Sequence, residues 1–463
     1  MLELGVLLLF MINLFIAIIF NFSIVYALFT NLVLLIIYAF IKNYSTREIF
    51  QMIKMGLMET KTVLTVFFLI GIITGIWRLS GTIAYIIYYG TSLISPNFFY
   101  VGIFIFNSCI SLLTGTSLGT ASTAGIISMS ISNAMNFNPL LTGGAILSGC
   151  YFGDRSSPMS TSALLIATLT RTNLYTNLKN MFRTCIIPLI LTLITFQAFN
   201  YGTSARVNSQ IVNSIAEIFN FNFLLVIPTL SIIILSVLKV DIRLNMIISI
   251  ILSIIFAALF QNRSALEILN SLIFGFHIEE TAGKLINGGG LLSMKKMILI
   301  VGISSGYFGF FKRTNLLFAV KKYVRKLFIN LPDMVVMSII SLIIACFSAN
   351  QTLTSMITYE MARENYDDNY KLALDLENSA IMTPLYVPWN ITGRTPMEMV
   401  SGPLAAILFS FYHHYIILVN CIVSSLKYKK NKKIKLFKAQ DFSWVFSFYF
   451  ILISFSYKFN FNQ

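Results

Sequence analysis

From residue 79 to residue 153 the chain carries no Asp, Glu, Lys or Arg. A run that long cannot belong to a soluble domain, whose charged content averages roughly 25%. Further uncharged runs cover residues 4–41, 218–238, 244–262, 334–359 and 399–426, each long enough for one or more helical spans of about 20 residues. The whole 463-residue chain is 57% hydrophobic and 11% charged, with a mean hydropathy of +0.79. This is the composition of an all-α polytopic membrane protein, with about 10 to 12 transmembrane helices expected from the run lengths.

The net charge of +15 does not point to nucleic acid, because the basic residues gather in short loops between apolar runs, as the positive-inside pattern requires. Lys312, Arg313, Lys321, Lys322, Arg325 and Lys326 form one acid-free group, and Lys427, Lys429, Lys430, Lys432, Lys433, Lys435 and Lys438 form another. Both are expected on the cytoplasmic side, next to anionic lipid headgroups of the bilayer. The loop Lys42 to Lys61 is basic on balance, so two crossings before it place the N-terminus inside as well. The run 4–41 follows Glu3 with no basic segment and no small-residue cleavage site, so it reads as a retained helical hairpin and not as a signal peptide. The 41 Phe and 21 Tyr suit lipid-facing and belt positions. Cys109, Cys150, Cys185, Cys346 and Cys421 lie scattered in apolar sequence without metal spacing and are expected to be packing residues.

One acid interrupts this pattern. Asp154 is the only carboxylate between Glu59 and Glu217, and a charge at that depth costs at least about 2.5 to 3.5 kcal/mol. It sits in the phrase Ser148-Gly149-Cys150-Tyr151-Phe152-Gly153-Asp154-Arg155-Ser156-Ser157-Pro158-Met159-Ser160. Its bland readings are a buried pair with Arg155 or a solvated loop. The sharper one is a site where a proton or a small cation binds and leaves, since Asp switches between charged and neutral forms.

Two regions break the apolar pattern with glycine, proline and small hydroxyl residues, one in each half: residues 107–170 and 348–403. The first holds Thr114-Gly115-Thr116-Ser117-Leu118-Gly119-Thr120 and then the Asp154 phrase. The second holds Ser348-Ala349-Asn350-Gln351-Thr352-Leu353-Thr354, then Glu377-Asn378-Ser379 with Pro384, then Pro388-Trp389-Asn390. Interrupted spans at matching places in two halves predict two inverted repeats with broken or re-entrant helices, whose freed backbone groups line an ion or substrate site. Hydroxyl oxygens suit small hard cations. The spacing Gly115-x-x-x-Gly119 equally suits close helix packing. Glu377 follows Glu364, Asp367, Asp368 and Asp375 and also reads as the end of a solvated charged segment. His413 and His414 are expected near an interface, with a proton relay as the sharper alternative. Gly288-Gly289-Gly290 lacks the Lys and Ser or Thr of a phosphate loop and reads as a hinge or re-entrant turn.

The expected organisation is a single integral membrane transporter domain over 1–463. Within it, 1–61 is an N-terminal hairpin and basic loop, 62–200 a first repeat, 218–311 intervening helices, 334–426 a second repeat, and 427–463 a basic loop and C-terminal helix. No His-Glu-x-x-His, Gly-x-Ser-x-Gly or paired catalytic Asp is present, so an intramembrane enzyme is a remote alternative and no catalytic residue or cofactor is expected.

On the phrases around Gly115 to Ala121, Ser148 to Ser160, Leu376 to Ser379, Thr383-Pro384-Leu385 and Pro388-Trp389-Asn390, the chain resembles the NhaC-type sodium/proton antiporters of the ion transporter superfamily. The resemblance covers roughly residues 100–405. It implies a multi-pass carrier of the bacterial inner membrane in which Na⁺ and H⁺ compete at carboxylates near the midplane, and it leaves a homodimer open. That role falls on Asp154, also a Na⁺ ligand, with Thr116, Ser117, Thr120, Ser157 and Ser160 as oxygen donors and Glu377 and Asn378 from the second repeat. Arg155, Thr161 and Asn390 complete the candidate set. The family pattern commonly has an Asp after the position of Ser160 and an Asn shortly beyond, where this chain has Thr161 and Leu164. Losing a second acid weakens the case for sodium. The resemblance also takes in carriers of organic solutes, and Arg155 could clamp a substrate carboxylate with its planar fork. An amino-acid or organic-anion carrier is therefore the alternative to cation/proton antiport by alternating access.

Overall fold

The computed structural model describes residues 2–432 apart from 21, 94, 202–208, 239, 280–282, 315, 317 and 349. Most of the expected basic loop and C-terminal helix, residues 433–463, lies outside the described residues.

The described chain is helical throughout, with one isolated bridge between Phe276 and Gly288 as its only extended pairing. The first half begins with α1 (Leu2–Ile19), α2 (Ile24–Ile41), α3 (Thr46–Leu79), α4 (Thr82–Leu93), α5 (Phe99–Thr114) and α6 (Ser117–Thr120). It continues with α7 (Ile126–Ala134), α8 (Pro139–Ser156), α9 (Thr161–Thr170) and α10 (Leu174–Asn200). A middle group follows: α11 (Ser209–Ile218), α12 (Ile227–Val237), α13 (Ile242–Gln261), α14 (Ala265–Phe274), α15 (Gly283–Ile286), α16 (Lys295–Ser305), α17 (Tyr307–Arg313) and α18 (Phe318–Asn330). The last group is α19 (Asp333–Ser348), α20 (Gln351–Ala362), α21 (Asn369–Ser379), α22 (Ile391–Met399) and α23 (Phe411–Lys432).

Among the described residues five helices are individually long and apolar enough to cross a membrane, or six when the α3–α4 pair, bent by 69°, is taken as one span. The remaining apolar sequence is divided into shorter helices by the breaks that the glycine and hydroxyl clusters anticipated. This is a polytopic membrane protein built inside out. The outer face of α10 exposes Phe182, Ile186, Ile187, Ile190, Ile194 and Phe199, while Asp154, Arg155, Ser156, Ser157 and Glu377 are buried. In lipid the outside is the apolar phase, and the polar groups that function requires must face the interior.

The contacts that bring the site together cross between the halves. Helix α8 packs most extensively on α5 and also on α23, while α9 packs on α20 and α21. Small residues allow the α5–α8 approach: a Cβ on Gly149 would stand 2.7 Å from Asn107 Cβ, and one on Gly153 would collide with the backbone of Ser111 and Leu112. Backbones this close are the membrane form of helix packing. The triplet Gly288-Gly289-Gly290 has positive φ throughout and turns back against Thr74 and Gly75 of α3, which agrees with a tight turn.

Candidate functional site

Each half contains a helix broken at one point, and the two breaks share their chemistry. In the first, α5 stops at Thr114 because Gly115 adopts φ 67°, where a side chain would be strained and a Cβ would meet Met159. The helix restarts at Ser117, where the Thr116 hydroxyl accepts from Gly119 N at 3.2 Å. The Thr120 hydroxyl donates to Thr116 O at 2.9 Å and lies 3.1 Å from the Thr114 hydroxyl. In the second, α19 stops at Ser348, Asn350 Oδ1 accepts from Leu353 N at 2.8 Å, and α20 begins at Gln351. The Thr354 hydroxyl donates to Asn350 O at 2.8 Å and lies 2.5 Å from the Ser348 hydroxyl. Positions 114, 116 and 120 thus correspond to 348, 350 and 354. The carbonyl two residues before each break is also tied down from the later part of its half: Ser157 Oγ donates to Leu112 O at 2.6 Å, and Trp389 Nε1 donates to Cys346 O at 2.8 Å. Beyond Thr120 the first helix passes through a π turn, Ala121–Gly125, before α7, a local widening common at functional sites.

Asp154 stands near the C-terminal end of α8, buried. Ser162 Oγ donates to its Oδ1 at 3.3 Å and to its backbone carbonyl at 3.0 Å. The side chains of Ser117, Gln351 and Ser160 also reach the carboxylate. Ser117 and Gln351 are the first residues of α6 and α20, so one polar side chain from each broken helix meets the same acid. The result is a buried carboxylate ringed by neutral oxygen and amide groups.

Neighbouring residues on a helix point about 100° apart, and Arg155 accordingly faces a different set of elements. Its Nη2 donates to Asn378 Oδ1 of α21 and to Thr184 Oγ1 of α10 at 3.2 Å. Its Nη1 lies 3.4 Å from the Tyr412 hydroxyl of α23, 3.5 Å from Met181 O and 3.5 Å from Ser156 Oγ. All five acceptors are neutral. The bland reading of Asp154 as the ion-pair partner of Arg155 does not describe this arrangement.

Glu377 is fully buried, not the solvated end of a charged segment, and neither carboxylate oxygen has a hydrogen-bond partner. The charges acting on it are those of Arg155 and Asp154. A buried carboxylate left without partners is expensive.

The remaining candidates have other duties. Thr116 and Thr120 spend their hydroxyls on the helix break. Ser157 anchors the α8–α9 turn to α5. Ser160 caps α9, accepting from Ala163 N at 3.1 Å, and pairs with Ser162 at 2.7 Å. Thr161 is exposed on the outer side of α9. Asn378 is committed to Arg155. Asn390 caps α22, with Oδ1 accepting from Thr392 N at 3.1 Å, and donates to Ala345 O at 3.0 Å. Gly119 faces the Thr116 hydroxyl of its own cap, so the Gly115-x-x-x-Gly119 spacing serves the break and not a helix crossing. His413 lies in the core, not near an interface: Nδ1 is 2.7 Å from Ser410 Oγ, and the ring meets Tyr151 edge-on at 5.0 Å. All five cysteines are unpaired, four of them buried and Cys109 exposed.

Two participants, Gln351 and Ser162, stand outside the set drawn from sequence. Gln351 was accessible as the counterpart of Ser117, one residue past the cap in each half. Ser162 follows Thr161 and takes the inward face of the same helical turn.

Residues 149–402 match the Na⁺/H⁺ antiporter family. The chain is 25% identical over 401 residues to an uncharacterized Na(+)/H(+) antiporter of Haemophilus influenzae, covering 82% of this chain and 85% of the relative. It is 26% identical over 382 residues to the malate-2H(+)/Na(+)-lactate antiporter of Bacillus subtilis, covering 80% and 81%. With the Na(+)/H(+) antiporter NhaC of Bacillus subtilis the identity is 25% over 415 residues, covering 86% and 92%.

Proposed function

The chain belongs to the Na⁺/H⁺ antiporter family, and from that premise we propose that Asp154 is the carboxylate at which Na⁺ and H⁺ alternate. The observation that carries this reading is the convergence of Ser117 and Gln351, the first residues of two broken helices from opposite halves, on one buried acid. Hydroxyl and amide oxygens are hard ligands suited to a small cation, and the ionised carboxylate supplies the charge. Na⁺ is held while Asp154 is ionised, and its protonation removes the attraction and frees the ion.

Two repeats explain how access alternates. The matched breaks at 114–120 and 348–354 are the parts of each half that meet at the acid, and a rocking of one half against the other exposes it to either side. The gradients that drive exchange are similar in size: about 2.3 kcal/mol per charge per 100 mV and about 1.4 kcal/mol per pH unit. This reading contains no chemical step on a substrate. It places the protein in a bacterial inner membrane, with the basic loops on the cytoplasmic face.

The alternative, an organic-anion carrier, draws on the similarity to the malate-2H(+)/Na(+)-lactate antiporter and needs a free cation to clamp a carboxylate. Arg155 Nε has no partner, but a planar fork needs Nη2 beside it, and Nη2 is held by Asn378 and Thr184.

The test uses proteoliposomes enclosing a pH-sensitive dye, challenged with external Na⁺, Li⁺ or K⁺. Wild type is expected to give a Na⁺-driven pH shift that Asp154→Asn lowers by at least about 100-fold, roughly 2.7 kcal/mol of lost interaction. No shift with any cation, together with uptake of labelled malate, lactate or amino acids, would replace this reading with the organic-anion one.

A further inference from the structure

Two carboxylates and one guanidinium are enclosed together in the middle of this molecule, and their neighbours leave the charge count unbalanced. Asp154 is surrounded by Ser162, Ser117, Gln351 and Ser160. Glu377 has no hydrogen-bond partner on either oxygen. Arg155 spends its terminal nitrogens on five neutral acceptors, and its Nε has no partner.

Of the other charged groups on the surrounding helices, Lys179 and Arg183 of α10 are exposed, and the following have partners of their own. Arg394 and Glu398 of α22 pair at 2.6 Å. Lys371 of α21 pairs with Asp333 of α19, and Asp375 accepts from the Tyr366 hydroxyl at 2.9 Å. With both acids ionised, the enclosed trio carries one net negative charge. A low-dielectric interior penalises residual charge, so a cargo of one positive charge brings the trio to neutrality.

We propose that Arg155 is the charge-selectivity residue of the site: by offsetting one of two enclosed carboxylates, it restricts the site to a single monovalent cation and rejects divalent ones. It does so without touching the cargo, since Asn378, Thr184 and Tyr412 hold the guanidinium in place. Removing its charge leaves two negative charges, the complement of a divalent ion or of two monovalent ions. Removing the Glu377 charge as well returns the count to one. This inference rests on the Na⁺ site proposed at Asp154.

The experiment measures ²²Na⁺ bound to purified full-length protein and its displacement by Ca²⁺. Wild type is expected to bind Na⁺ with a Hill coefficient of one and to resist Ca²⁺. In Arg155→Gln, Ca²⁺ should displace ²²Na⁺ at concentrations at least tenfold lower, and Arg155→Gln/Glu377→Gln should regain the wild-type resistance. Arg155→Lys keeps the charge but drops the planar fork, and should discriminate as wild type does. Should Arg155→Gln not fold, Glu377→Gln alone decides: with Arg155 intact its site carries no net charge, and Na⁺ affinity should fall at least tenfold. Unchanged Ca²⁺ resistance in folded Arg155→Gln, no restoration in the double variant, or wild-type Na⁺ binding by Glu377→Gln would overturn the inference while leaving Na⁺ transport at Asp154 standing. Wild-type protein that binds no Na⁺ would instead remove the underlying reading.

Discussion

The two halves copy the helix break but not the acid that follows it. At 114–120 and 348–354 the cap, the hydroxyl bridge and the anchored carbonyl recur position for position. Downstream the halves diverge. The first presses α8 flush against α5 through Gly149 and Gly153 and surrounds Asp154 with polar side chains. The second carries Glu377 on α21, a helix whose buried residues include Leu372, Ala373 and Leu376, and leaves that carboxylate without partners. Matched breaks provide a frame that two moving halves can share. On the proposed reading the unmatched acids divide the roles, Asp154 binding the cation and Glu377 setting the charge of the enclosure.

This contrast can be broken at the glycines. Gly153→Leu forces a branched side chain into the backbone of Ser111 and Leu112, and overpacking of this kind costs about 1 to 3 kcal/mol or more. The expected outcome is a severe loss of folded protein by size-exclusion fluorescence, whereas Leu372→Met on α21 should be tolerated. Equal tolerance of both would show that α8 does not depend on its close approach to α5.

A finer probe compares the two residues that meet at Asp154. Ser117→Ala and Gln351→Ala each remove one polar contact, worth about 1 to 1.4 kcal/mol as a typical net hydrogen bond. Each should raise the half-saturating Na⁺ concentration about five- to tenfold with protein levels unchanged. If only one of the pair responds, the site belongs to one half and the convergence is incidental.

The smallest effects are expected at the hydroxyl bridges. Thr120→Val and Thr354→Val delete corresponding hydrogen bonds, each worth about 1 kcal/mol, and should lower thermal stability by similar amounts. Unequal losses would show that the two breaks resemble each other in outline but not in energetics.

The sequence exposed Asp154 readily because a charge is conspicuous in an uncharged run, and it exposed both broken regions because glycine, proline and hydroxyls are rare in lipid-facing helix. It could not assign individual hydroxyls. Thr116 and Asn390 became caps, Thr120 bonds its own backbone, and Thr161 points outward while Ser162 points in. Such choices follow from helical phase and from which backbone groups a break leaves unpaired, and a shift of one residue reverses them. Glu377 was obscured by the acids before it, since composition alone does not tell where a charged surface turn enters the core. Gln351 lies far from Asp154 along the chain and meets it only through the packing of α20 against α9.

The most direct test of the account is equilibrium binding of ²²Na⁺ to purified wild type and Asp154→Asn. The account predicts saturable binding in wild type and none in the variant at the same Na⁺ concentrations, with both proteins folded. Binding to Asp154→Asn at wild-type affinity would contradict it and move the cation site elsewhere in the molecule.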